Sequence, residues 1–579
     1  MAVKPAAKPL RRVTQQTFDE CVQENIDDFD LEPEEAVADA VKEFTLQGVD
    51  LSEIDKSYAG PEGRGEHPVV ALTKAFVEAV ESKTSLSDSP TRETVTSAAE
   101  ALRNAMTSAD AVPGWGMACV GAGAVQASSL FVTKCALCFE DSKTDTELLN
   151  TALDTLAAVL TAQEAKETYA SLKFPMAFVN ETWQACQKSN FKTKSLFAKV
   201  VANASLKCEA CKGAFVKAEI ETCLVEILSE CTDRSNEGTM GKHSDDNTDI
   251  AATKRNALRE ACSATRALTT GDDPREPASG AFAHARALAK AGAATALCAA
   301  FQLESNENET DLAVLQQIAA AIRHVAVNDE ICRETSEKGG LLCALNLLKG
   351  NATSSAKTTK ACAQLVRQLA GSDIVKPLIV QHGGIAALNH CARVFGERAE
   401  ISNANETRDE NTSETKNAHD DAQSCLSAVE QCVGALAATC LKHPEAPTQC
   451  SSDSVFETVA DVMASKSAIP HKGVQRQCCM FFRNAVVRNQ ELRGQMLATT
   501  VEQSLRLAKK NHPSFCMDVA TAALRDLGCP NYNEGYNPTT AVMGADGVVR
   551  TPEELGDEPD VDAVRAIAGY GSSMPSLQE

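Results

Sequence analysis

Along most of this chain, apolar residues recur every three or four positions, the spacing of one helix face rather than the alternation of a strand. In LAVLQQIAAAIRHVAV (312–327), Leu315, Ile318, Ala319, Ile322 and Val325 make one stripe, and Arg323 and His324 fall beside it. RNALREACSATRALTT (255–270) and GVQRQCCMFFRNAVV (473–487) repeat the arrangement. Glycine corners lie between such stretches: KAGAATAL (290–297), EKGGLLCAL (337–345) and QHGGIAAL (381–388). Glycine there ends a short helix and lets the chain turn sharply into the next.

The corners have a period. Gly292, Gly339 and Gly383 are 47 and 44 residues apart, and repeats of about 40–47 residues built from two or three helices are the armadillo/HEAT signature. The spacing predicts an all-α fold, a right-handed armadillo-repeat superhelical solenoid of about nine units over residues 61–530. Two polar stretches without apolar periodicity, 232–249 and 396–421, are expected to be disordered insertions. Residues 1–60 are expected to form an N-terminal helical cap, with Pro33 starting one helix and Gly48 ending it. Residues 531–579 are rich in Gly, Pro and acids and are expected to be a flexible tail.

One arginine recurs near the end of each long helix. ALRNAM, ATRALT, AIRHVA, LVRQLA, FFRNAV and ALRDLG place Arg103, Arg266, Arg323, Arg367, Arg483 and Arg525 at one point of the pattern. The next residue defines a ladder position: Asn104, Thr155, Asn203, Ala267, His324, Gln368, Ala438, Asn484 and Asp526. A regular row of cations in a chain of formal net charge −23 points to a binding surface.

Composition narrows the picture. Aromatic residues are only 4% of the chain, which suits close packing of small helices better than a β-sandwich. An isoelectric point near 5.0 argues against nucleic acid as the main partner. The 23 cysteines, with no apolar leader in MAVKPAAKPLRRV, are expected to be free thiols in a reducing compartment: cytoplasmic, or cytoplasmic and nuclear. AVPGWGMACVGAGAVQASSLFVT (111–133) carries no charge and is long enough to span a bilayer. Its Pro113, four glycines and hydroxyls make it a poor span, and it fits the repeat pattern.

The segment TFDECVQENIDDFDLEPEEAVADAVKEFTLQGVDLSEI (17–54) resembles the start of the armadillo repeat-containing protein 6 family, with TFD, EN, PEEAV, Phe44 and QGVDL in that family's order. The repeats through ALRDLGC (523–529) look like the same family, so that the resemblance extends over roughly nine-tenths of the chain. It implies an all-helical armadillo fold and no known enzymatic chemistry.

In armadillo proteins the third helix of each repeat lines the concave face, and ladder Asn holds the backbone of an extended peptide. The expected function is therefore a non-catalytic scaffold or adaptor that binds an extended acidic or phosphorylated segment of another protein. Its groove residues would be Arg103, Asn104, Asn203, Arg266, Arg323, His324, Arg367, Gln368, Arg483, Asn484 and Arg525. The bland alternative is a row of solvated arginines in weak ion pairs. An importin-like cargo receptor is the rival, but that class sets a Trp four residues before each ladder Asn, where this chain has Glu100, Lys199 and Met480. Cys135/Cys138 and Cys208/Cys211 read as thiols one helical turn apart rather than zinc ligands. EGTMGKHS (237–244) fails the phosphate-loop spacing, and no nucleophile elbow or paired-His helix occurs, so neither cofactor nor metal is expected. A monomer without membrane or nucleic-acid partners is the expected state. The eight acids of 396–421 raise the prospect of a loop that folds back on the arginine row, a solvated loop being the simpler reading.

Overall fold

The computed structural model describes residues 11–535 apart from 30, 52–53, 57–66, 83–88, 109–111, 113, 141, 234–243, 277, 307–310, 351–353 and 407–412, together with 542–543 and 549–550. The chain divides into two compact units, Met1–Val327 and Asn328–Glu579.

At the start of the first unit, α1 (Gln15–Phe29) and α2 (Pro33–Leu46) pack on a parallel pair of two-residue strands, β1 (Arg11–Arg12) and β2 (Val49–Asp50). Phe18, Val22, Ala36, Ala40, Phe44, Val49, Leu51 and Ile54 close a small core of their own, with Phe18 and Phe44 rings 6.0 Å apart. Pro33 occupies the first turn of α2, where its missing N–H costs nothing.

Five repeats follow. The first has two helices, α3 (Pro68–Glu81) and α4 (Ser89–Thr107). The second comprises α5 (Trp115–Gly121), α6 (Ala124–Leu137) and α7 (Lys143–Val159), and the third α8 (Gln163–Ser171), α9 (Phe174–Lys188) and α10 (Phe191–Ser205). The fourth contains α11 (Glu209–Lys217), α12 (Ile220–Thr232) and α13 (Ser244–Leu268), the fifth α14 (Ala281–Lys290), α15 (Ala293–Ser305) and α16 (Leu312–Val325).

The second unit begins with α17 (Asp329–Glu337), α18 (Gly340–Lys349) and α19 (Ala356–Leu369). The next repeat is α20 (Val375–Gln381), α21 (Gly384–Glu406) and α22 (Ser413–Cys440), then α23 (Glu445–Ser452), α24 (Val455–Ala464) and α25 (Lys472–Val486). A 3-10 turn (Gln490–Leu492) leads into α26 (Arg493–Leu497), α27 (Val501–Asn511) and α28 (Pro513–Leu527). Beyond them lies an antiparallel pair, β3 (Val542–Met543) and β4 (Val549–Arg550). Among the described residues the protein is thus all-α but for these two short strand pairs.

Within each unit like packs on like. In the first, α4, α7, α10, α13 and α16 form one layer of third helices, and in the second α19, α22, α25 and α28 form another. Each third helix also packs on the second helix of its own repeat. Stability therefore comes from neighbouring repeats rather than from one central core.

Two local devices recur through the triplets. First and second helices meet at a left-handed residue: Gly123 (φ 92°), Gly292 (φ 99°), Gly339 (φ 86°) and Gly383 (φ 67°), as the corners predict. In three repeats the same corner is a non-glycine residue, Lys173 (φ 59°), Glu219 (φ 59°) or Ser454 (φ 53°). Five third helices instead start at side-chain caps. Ser142, Asn190, Asp311, Ser355 and the His471 imidazole each accept a backbone N–H from the first turn of the helix that follows.

Three expectations need correction. The polar stretch 396–421 is not one disordered insertion: α21 runs through Glu406 and α22 starts at Ser413, so only 407–412 lie outside the described residues. The two helices pack on each other, and Ser467 N–H donates to Glu400 Oε1 at 2.8 Å, tying α21 to the following repeat. The stretch 232–249 likewise includes the first turns of α13, while 234–243 lie outside the described residues. Past Pro530 the chain does not leave at once, because Lys509 Nζ donates to the carbonyls of Tyr532 (3.0 Å) and Glu534 (2.7 Å). Most of the expected tail lies outside the described residues.

No single helix is long and apolar enough to cross a membrane among the described residues. From Trp115 on, the uncharged run forms α5 and part of α6, which bend by 67° about the Gly123 corner and occupy first- and second-helix places in their repeat.

Candidate peptide-binding face of the third helices

The burial pattern bears on the ladder register. On α10 and α25, Val200, Val201 and Ala204 correspond to Phe481, Phe482 and Ala485, all fully buried, with Asn203 and Asn484 at one place among them. Those two amides also act alike. Asn203 Nδ2 donates to the Ala157 carbonyl at 2.8 Å and Asn484 Nδ2 to the Ala437 carbonyl at 2.9 Å, each on the preceding third helix. One donor of each amide thus ties two repeats together. Asn104, on the two-helix first repeat, is exposed, and Gln368 is half-buried.

The arginines are not one uniform row. In the first unit Arg103 Nη1 meets Asp154 Oδ2 at 3.1 Å, and Lys199 Nζ reaches the other carboxylate oxygen at 2.9 Å. Asp154 lies on α7 three residues before Ala157, and its carboxylate offsets part of the charge at this end of the row. Arg266 Nη1 donates to Gln317 Oε1 at 2.6 Å, and Arg323 Nη2 to His324 Nε2 at 2.8 Å. Thr270 Oγ1 lies 3.5 Å from His324 Nδ1. Burial and the positive charges of Arg323 and Arg266 pull the His324 pKa down to about 4, so its neutral ring accepts from Arg323. Burial, then Arg266, also lowers the pKa of Arg323. Arg266, Arg323 and His324 are the predicted residues that the structure draws into one cluster.

In the second unit Arg367 Nη1 donates to Gln431 Oε1 at 3.2 Å. Its guanidinium lies over Gly434, where a Cβ would stand 2.9 Å from Nη1. Arg525 pairs with its neighbour Asp526 at 2.9 Å. Arg483 is exposed and makes no hydrogen bond or ion pair among the described residues.

A regularity absent from the sequence reading emerges. Gln317 and Gln431 both stand seven residues before a ladder residue, and each accepts from the arginine of the preceding repeat. Gln477 holds the same place before Asn484, but the preceding helix carries Ala437 where an arginine would be. Its buried Oε1 is left without a partner. The glutamines alone were a weak signal; only their pairing with an arginine one repeat earlier marks them.

The remaining candidates are structural in setting. Trp183 stands on a second helix with its ring 5.1 Å from Phe197, away from the ladder. The sequence expects each Cys-x-x-Cys pair one turn apart within a helix, but neither lies wholly inside one: Cys138 is the residue that ends α6 and Cys208 the one that starts α11. Among the described residues, no group of three or more His, Cys, Asp or Glu is placed to hold a metal ion.

Residues 10–84 match the Armadillo repeat-containing protein 6 N-terminal domain family. Armadillo repeat-containing protein 6 of Homo sapiens is 26% identical over 405 residues, which cover 65% of this chain and 69% of that protein. The homolog of Drosophila melanogaster is 25% identical over 381 residues, covering 64% and 70%. This coverage is narrower than the nine-tenths read from the repeats. A designed armadillo repeat protein shares 14% identity over 52% of this chain and 99% of its own, with a TM-score of 0.37. A structure concerned with a phosphorylation switch in the interaction between cadherin and beta-catenin shares 14% identity over 89% of this chain and 96% of its own, with a TM-score of 0.41. The chain is therefore similar to the Armadillo repeat-containing protein 6 family, both in its N-terminal domain at residues 10–84 and in the repeats that follow.

Proposed function

We propose that the protein is a non-catalytic scaffold whose third-helix face receives an extended, acidic or phosphorylated segment of another protein. The supporting observation is hydrogen-bonding capacity without internal partners beside the ladder: among the described residues Arg266 Nε, Arg323 Nε and Gln477 Oε1 are buried and unsatisfied. A folded protein rarely leaves such atoms bare, since each forfeits about 1–3 kcal/mol. An extended main chain supplies both donors and acceptors at the required places. Neighbouring third helices lie about 8–10 Å apart, close to three residues of extended peptide.

An importin-like reading finds less support. The cationic face repels a basic cargo, and neither tryptophan stands on the ladder. The proposal extends to a monomer in the cytoplasm, or in cytoplasm and nucleus, in keeping with 23 free thiols.

The test is a display library of extended peptides screened against the full chain and an Arg323→Glu/Arg367→Glu/Arg483→Glu variant. Acidic sequences enriched on the first and lost on the second support the reading. Peptides retained equally by both would place binding elsewhere.

A further inference from the structure

We infer that Arg266 and Arg323 form a phosphoryl-binding subsite, so that a partner segment is recognised when it carries a phosphorylated side chain there. The inference rests on the third-helix reading but names one place and one chemistry within it. Arg266 on α13 and Arg323 on α16 each spend one guanidinium nitrogen on a neutral acceptor, Gln317 and His324. The Nε–H of each is buried and unpartnered. The charge that weighs on Arg323 is another cation, not a carboxylate.

The contrast with Arg103 and Arg525 is chemical. Arg103 and Arg525 have their carboxylates, Asp154 and Asp526. Arg266 and Arg323 do not, in a chain of formal net charge −23 that has acids to spare. Two half-buried guanidinium groups set near one another without an anion repel, and a ligand of charge near −2 relieves both. A carboxylate has two oxygens and one charge, too few to serve two forks. A phosphomonoester presents three oxygens and nearly two charges, so that each fork takes its own. Neutral His324 stays at its post as acceptor for Arg323, and Gln317 for Arg266, which orients the forks without neutralising them.

Titration calorimetry of the full chain with phenyl phosphate and with benzoate is the direct test. Phenyl phosphate is expected to bind with one site and benzoate at least about tenfold more weakly. Arg266→Gln/Arg323→Gln should weaken phenyl phosphate by about tenfold or more, and Arg323→Lys, which keeps the charge but loses the fork, by less. Arg286→Gln, an exposed arginine on α14 outside the third-helix face, is the matched control and should change nothing. Circular dichroism reports whether each variant is folded, and Arg323→Lys serves if the double variant is not. Equal binding of the two probes, or equal binding by wild type and the folded Arg323→Lys and double variants, overturns the subsite. The peptide-library result stands apart from it: acidic peptides that bind without phosphate leave the wider face intact, and phosphate binding without any peptide leaves only the subsite.

Discussion

Arg367 donates to Gln431, which lies 64 residues along the chain and one repeat further on, at 3.2 Å. Arg266 does the same to Gln317 at 2.6 Å. Because the acceptor stands seven residues before the next ladder position in both, the pair acts as a stitch between consecutive third helices. Gln477 is the half-stitch, with its arginine replaced by Ala437.

The stitch predicts opposite outcomes for one substitution at two equivalent places. Gln431→Leu should destabilise the protein by about 1–2 kcal/mol, since a half-buried guanidinium loses its acceptor. Gln477→Leu removes an acceptor that has no donor, and should be neutral or stabilising. Urea denaturation followed by circular dichroism compares them; equal losses would mean that Gln477 has a partner in solution.

The left-handed corners separate two kinds of residue. A Cβ at Gly292 would meet nothing nearer than Val225 Cγ1 at 3.9 Å, so the cost of Gly292→Ala is the backbone conformation alone. It should be about 1–2 kcal/mol. At Ser454 that strain is already present, so Ser454→Gly should be neutral or stabilising by up to about 1 kcal/mol. Thermal denaturation of both variants decides it.

His324 predicts a pH dependence. The unfolded chain takes up this proton as pH falls through about 6.5, the folded chain only near 4. Between those values the unfolded state binds more protons, so stability rises with pH there and this contribution is constant above about 6.5. His324→Gln should reduce the slope of unfolding free energy against pH in that window and leave it unaltered at pH 8. An unchanged slope would mean that the ring is not held neutral by Arg323 and Arg266.

The N-terminal core predicts local unfolding. Phe18 is fully buried in a cluster drawn from residues 18–54 alone. Phe18→Ala should cost about 3–5 kcal/mol there. Hydrogen exchange should rise across α1 and α2 and stay unchanged in α10 and α25; a rise throughout would show that the cap and the repeats unfold as one.

Periodicity determined a good deal by itself. The stripe from Leu315 to Val325, the corners at Gly292, Gly339 and Gly383, and the Pro33 helix start were all legible, because each follows from local backbone preference or from one helix face. Other features were not. Lys173, Glu219 and Ser454 turn the same corner without glycine, since packing of the flanking helices overrides local preference, and 396–421 is largely helical because α21 and α22 support each other. Which arginines are neutralised was a tertiary matter too. Asp154 reaches Arg103 from the next repeat, 51 residues away in sequence, while among the described residues no carboxylate reaches Arg266 or Arg323. Spacing along one helix tells which face a side chain joins, but its partner stands on another helix, and only the stacking of repeats brings the two together.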